Sequence, residues 1–76
     1  MAVGNPKSEA LGGHLGTQVR LLRSQRGWSL ERLAGVCGVS RSMLSQIERG
    51  EANPTVMVAA AIARALGASL DELVTP

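Results

Sequence analysis

Between Ser29 and Gly50 the chain reads SLERLAGVCGVSRSMLSQIERG, and this stretch leaves the backbone few ways to run. Ser29 can cap an orphan amide at a helix start, and Leu30, Leu33, Ala34 and Cys37 then recur on one apolar side. The pattern stops at Gly38, a residue that can enter the left-handed conformation ending a helix and turn the chain without a side-chain clash. Val39 is placed to plug the angle, and Ser40 to cap a second helix. In that second helix Leu44 and Ile47 lie three apart on a face to be buried, while Arg41, Ser42, Ser45 and Gln46 lie across the other surface. Gly50 closes it after Arg49, a cation at the negative end of the helix dipole.

Two short helices joined by a glycine turn also occur as plain αα-hairpins in small bundles. The second helix argues for something more specific. An ordinary surface helix carries many long charged side chains, whereas this one offers short hydroxyls and an amide behind one leading arginine. Short polar groups permit close approach to the floor of a groove, and the combination points to a helix-turn-helix that reads double-stranded DNA.

Seventy-six residues allow one domain with a small core and leave no room for a separate catalytic or ligand-sensing unit. Aliphatic residues and alanine must fill that core, since Trp28 is the one aromatic residue. The formal charge is only +2, so charge alone argues weakly for nucleic acid. Its placement says more: Arg20, Arg23, Arg26, Arg32, Arg41 and Arg49 precede an acidic tail containing Asp71 and Glu72, which predicts one DNA-facing side. A cationic set built from arginine suits bidentate bonds to phosphate or guanine.

Other chemistries find little support. Cys37 has no partner for an internal disulfide and reads as a reduced core thiol. His14 lacks further ligands at metal spacing, so neither a metal nor another cofactor is expected. Hydrolysis needs a nucleophile, a base and an orienting group, and Ser42 and Ser45 have no nearby lysine or histidine in the motif; an enzyme is the least expected class. The opening MAVGNPKSEALGG has no apolar run suited to a signal peptide or a membrane span. Residues 1–13 read as a flexible arm, with Lys7 as a possible backbone contact, and residues 14–76 as the folded domain. A cytoplasmic protein is expected.

The remaining segments read as supporting helices. Leu15, Val19 and Leu22 repeat at helical spacing before Gly27. Thr55 can cap a helix over Val56–Leu66, with Ala59, Ile62, Ala63 and Leu66 inward, and Gly67 stops it. Ser69 and Glu72 form a capping box for a last short helix carrying Leu70, Leu73 and Val74. Five helices joined by connections of about two to five residues predict a compact all-α bundle.

From about Leu15 to Val74 the sequence resembles the Cro/C1-type helix-turn-helix family, also called the XRE family. RLLRSQRGWSLERLAGVCGVSRSMLSQIERGEANPT and ALGASLDELV carry the likeness, and GVSRSMLSQIERGEANPT looks especially like bacterial regulators in which this domain precedes a small-molecule-binding cupin barrel. The resemblance implies a lambda-repressor-like five-helix fold, a homodimer, and operator DNA as partner. It implies that Arg41, Ser42, Ser45 and Gln46 face the major groove with Ser40 at its lip, and that Ser29 and Asn53 lie at phosphates. It also implies that Arg23 braces the motif by pairing with Glu48. Leu30 departs from the pattern, standing where several phage repressors have a DNA-contacting glutamine.

Within that frame, Arg41 can reach guanine O6 and N7 with two bonds and Gln46 can pair with adenine N6 and N7, while Ser42 and Ser45 discriminate less. Met43 is expected to pack rather than touch a thymine methyl. Helix N-termini at Ser29 and Ser40 suit phosphate, as does Arg49. A single domain of this size buries modest area on DNA, so a two-fold dimer on an inverted repeat is expected, with Leu70 and Val74 left exposed for the interface. The competing reading is a protein-interaction module, such as an antitoxin, with DNA binding secondary.

Overall fold

A computed structural model describes the backbone of residues 6–75 and the side chains of residues 14–75. Among the described residues five helices follow one another: α1 (Pro6–Gln25), α2 (Leu30–Cys37), α3 (Arg41–Glu48), α4 (Val56–Leu66) and α5 (Leu70–Val74). The fold is the compact all-α, lambda-repressor-like bundle that the apolar spacing implies.

Each short helix begins where a hydroxyl takes up an orphan amide. Ser29 Oγ accepts from the Arg32 amide at 3.0 Å, Ser40 Oγ from Met43 at 3.1 Å, and Thr55 Oγ1 from Val58 at 3.2 Å. At α5 the cap is reciprocal: Glu72 donates its amide to Ser69 Oγ at 3.1 Å, and the Ser69 amide donates to Glu72 Oε1 at 2.7 Å. Helices as short as α2 and α3 are marginal alone, so caps and tertiary packing must hold them together. Gly38 takes φ 76° at the end of α2, the left-handed turn that lets the chain re-enter a helix after only Val39 and Ser40.

Two boundaries differ from the sequence reading. Helical backbone runs back to Pro6, through residues 6–13 that read as an arm. Proline is preorganised for the first helical position, and Lys7, Glu9, Ala10 and Leu11 favour helix enough to carry the backbone through Gly12 and Gly13. Residues 1–5, and the side chain of Lys7, lie outside the described residues. The α3–α4 connection occupies residues 49–55, longer than expected, because Pro54 delays re-entry into helix.

Leu15, Val19, Leu33, Leu44, Ile47, Ile62, Ala63, Leu66 and Leu73 form the core, with Leu22, Trp28, Leu30, Cys37 and Val39 packed around it. Leu30, the residue that departs from the phage-repressor pattern, is therefore a packing residue. Cys37 is half-buried and free. The last helix differs from expectation: α5 lies against α1 and α4, which leaves Leu70 and Val74 half-buried rather than exposed. The more exposed apolar pair is Val56 and Met57 at the start of α4, at 72% and 80% exposure.

The crossing of α1 over α3 depends on a residue that periodicity alone does not reveal. Gly16 is buried, and a β-carbon there would lie 2.3 Å from the Ile47 carbonyl oxygen and 2.9 Å from that of Glu48. Both obstacles are backbone, so neither can swing aside. By contrast, Gly35 in α2 faces nothing within 4 Å. Gly16→Ala is therefore expected to destabilise the domain by about 1–3 kcal/mol through overpacking. Gly35→Ala is expected to stabilise it by about 0.5–1 kcal/mol through helix propensity. Urea denaturation of the two variants checks both signs.

Candidate nucleic-acid interface

Helix α3 is fixed by burial of Leu44 and Ile47, each fully shielded from solvent. The opposite surface is then determined by helical geometry. Arg41, Ser42 and Gln46 are exposed on it, Ser45 is half-buried, and Arg49 follows at the C-cap. Helix α2 packs behind α3, and its N-terminus at Ser29 and that of α3 at Ser40 both carry amides that capping leaves unsatisfied. The Ser29 and Ser40 hydroxyl oxygens are occupied as caps, so each can still donate its proton outward. Asn53 is exposed in the connection after α3.

A partly buried ion pair joins α3 to the rest of the fold. Arg23 donates from Nε to Glu48 Oε2 at 2.7 Å and from Nη2 to Glu48 Oε1 at 3.0 Å. Its third nitrogen, Nη1, donates to the Trp28 carbonyl at 2.7 Å. One guanidinium thus ties α1, the turn before α2 and the end of α3. The hydrogen bonds to Glu48 raise the Arg23 pKa above its ordinary value, burial opposes them, and the Glu48 charge adds to the rise. Arg23 therefore stays charged wherever the protein is folded at ordinary pH. A lysine could supply the charge but not three bonds in a plane.

The cationic residues divide by task more sharply than their sequence positions imply. Arg26 donates from Nη2 to the Leu66 carbonyl at the end of α4, and its guanidinium lies 5.3 Å from the Trp28 ring centroid. Arg32 lies 5.7 Å from the same ring, so the two cations flank one aromatic side chain. Arg23 and Arg26 are thus committed to holding the fold, and the expectation of a single cationic side spanning residues 20 to 49 gives way to a smaller outer set.

On α3 itself the two arginines are held differently. Arg49 donates from Nη1 to Ser45 Oγ at 3.0 Å and from Nη2 to Glu51 Oε1 at 2.9 Å, so both terminal nitrogens are engaged. Arg41 forms an exposed ion pair, its Nε lying 3.0 Å from Glu31 Oε2. Met43 is 38% exposed and stands apart from the core, against the expectation that it packs. Met43 lies one turn before Ile47, at the edge of the buried face of α3, where its side chain still meets solvent. The ion pair of Glu31, the exposure of Met43 and the close approach at Gly16 are among the features that sequence reasoning missed. A carboxylate at the second position of α2 opposite an arginine opening α3 was the available signal for the first.

These features agree with what comparison with known proteins finds. Residues 14–75 match the model of a helix-turn-helix domain family, and the chain belongs to that family. It is 47% identical over 68 residues to the HTH-type transcriptional regulator SutR of Escherichia coli strain K12, covering 90% of this chain and 38% of SutR. It is similar to a crystal structure of an HTH_3 family transcriptional regulator from Vibrio cholerae, with TM-score 0.82 and 39% identity over 87% of this chain and 37% of that one. The hypothetical transcription factor NHTF from Neisseria superposes with TM-score 0.84 and 33% identity, covering 100% of this chain and 87% of that one. The chain thus spans well under half the length of SutR and of the Vibrio protein. Among the described residues, no helix is long and apolar enough to cross a membrane.

The Arg23–Glu48 pair gives a direct test of how α3 is held. Glu48→Gln removes the charge and turns an amide toward a guanidinium that can only donate. It is expected to lower stability by about 1.5–3 kcal/mol in chemical denaturation. Glu51→Gln, which touches only the exposed Arg49 pair, is expected to change it by less than about 0.5 kcal/mol.

Proposed function

We propose that this chain is the sequence-specific, double-stranded-DNA-binding domain of a bacterial transcriptional regulator, with α3 entering the major groove. The observation that carries this reading is the outward face of α3: a polar surface of short side chains, led by Arg41, on a helix locked from behind by Leu44, Ile47 and Glu48. Arg41, Ser42, Ser45 and Gln46 read base edges, and Ser29, Ser40, Asn53 and Arg49 position the domain at phosphates. Arg41 opens α3, where a recognition helix brings its first residues to base edges, and Arg49 follows at the C-cap. The names of SutR and of the Vibrio and Neisseria proteins support regulation of transcription.

The same reading makes residues 14–76 the DNA-binding unit of a cytoplasmic protein that is not an enzyme. A homodimer on an inverted-repeat operator supplies the affinity one domain lacks. Val56 and Met57 offer it more exposed apolar surface than Leu70 and Val74 do. Ligand sensing belongs to a further domain, such as a C-terminal cupin barrel, in keeping with the greater length of SutR and the Vibrio relative.

Selection from a pool of random duplexes at controlled salt tests the function, and a pool from which a dimeric sample enriches no sequence would sink it. On an enriched duplex, Arg41→Ala is expected to cost about 1–3 kcal/mol and to relax preference at one base pair. Arg49→Ala is expected to weaken all duplexes alike and to lower the salt slope by about one. Fluorescence anisotropy across two salt concentrations separates the two outcomes.

A further inference from the structure

We infer that Glu31 is a specificity-determining residue: its carboxylate, set beside the Arg41 guanidinium, disfavours phosphate as the partner of that arginine and leaves it to the guanine edge. This rests on the reading of Arg41 as a base-contacting residue and adds the partner that makes the contact selective.

The geometry begins with position. Glu31 lies in the first turn of α2 and Arg41 opens α3, so the Gly38 turn brings the two helix starts together. Their ion pair is made through Nε, the guanidinium nitrogen nearest the main chain, at 3.0 Å from Oε2. The carboxylate charge sits beside the near end of the guanidinium, and among the described residues Nη1 and Nη2, the pair of donors that matches guanine O6 and N7, make no side-chain hydrogen bond. Arg49 is the internal contrast, with both terminal nitrogens already bonded to Ser45 and Glu51.

Stability does not account for the Glu31–Arg41 pair. The side chains are 70% and 58% exposed, and ion pairs so open to water contribute little to folding. Their effect changes when a groove closes over them, because excluded water strengthens a charge pair. An arginine at the lip of a groove has two partners in reach: the guanine edge, which carries sequence information, and phosphate, which carries none. A carboxylate beside it repels phosphate and leaves the guanine edge as the favoured target. The same negative charge near the N-terminus of α2 weakens attraction to every duplex, so Glu31 exchanges general affinity for discrimination.

The test uses the 76-residue chain and the duplex enriched from a random pool, with each base pair replaced singly. The unsubstituted protein is expected to prefer one G·C pair by about tenfold or more. Glu31→Ala should reduce that preference several-fold at that pair alone, while raising affinity for an unrelated duplex by about threefold at low salt. Glu31→Gln, which retains an acceptor oxygen, should fall between the two, and it carries the test should the alanine variant not fold. In the Arg41→Ala background, Glu31→Ala should leave base preference unchanged. A preference unaltered by Glu31→Ala, or lowered equally at all positions, or lowered without Arg41 present, overturns the inference. If Arg41→Ala relaxes one base pair and Glu31→Ala does not, base reading stands and the role of Glu31 falls. If Arg41→Ala shifts no preference, both fall together.

Discussion

The guanidinium of Arg23 meets three oxygens at once, two on Glu48 and one on the Trp28 backbone, and the placement of α3 depends on that meeting. Leu44 and Ile47 set which side of α3 turns inward, but apolar contact is tolerant of sliding. Three charge-assisted bonds in one plane are not. They define the height and rotation of α3 against α1, and through Trp28 they fix where α2 begins. The ion pair also does what a buried apolar contact cannot do at the edge of so small a core: it joins elements where little hydrophobic surface is left to bury.

The same site shows why α1 and α3 approach so closely. Gly16 leaves space that the carbonyls of Ile47 and Glu48 occupy, and the Glu48 side chain then reaches Arg23 at bonding distance. A side chain at position 16 would lift α3 and lengthen those bonds. The close packing and the ion pair are therefore coupled, and neither can be relaxed without cost to the other. Trp28, whose carbonyl accepts from Arg23, also carries the guanidinium groups of Arg26 and Arg32 over its ring.

Much of the fold was legible because its signals are local. Ser29, Ser40, Thr55 and Ser69 each cap the helix that follows them, and Leu33, Leu44, Ile47, Ile62, Leu66 and Leu73 fall where helical spacing places them. The features that escaped depend on distance in space between residues distant in sequence. Nothing near Gly16 announces that the backbone of Ile47 will press on it. Arg26 reads as a free cation until α4 brings the Leu66 carbonyl to it. Leu70 and Val74 read as exposed because the packing of α5 on α1 and α4 has no local signature. The α3 surface was legible as a set of exposed polar residues, but which arginine is engaged and which is presented follows from Glu31 and Glu51, whose reach depends on how α2 and the following turn are placed.

The internal employment of arginines bears on the proposed role in reading DNA. Arg23 and Arg26 count toward the formal charge of +2 yet are turned to carbonyls and a carboxylate within the fold, while Glu31 and Glu51 sit beside the two arginines of α3. The carboxylates offset these arginines locally, and the net charge of +2 that remains exerts only weak long-range attraction on a polyanion. A protein so built spends less of its time captured by the vast excess of unrelated sequence, at the expense of slower electrostatic capture. On the proposed function, a small number of molecules then keeps a site occupied without being drained by the rest of the chromosome.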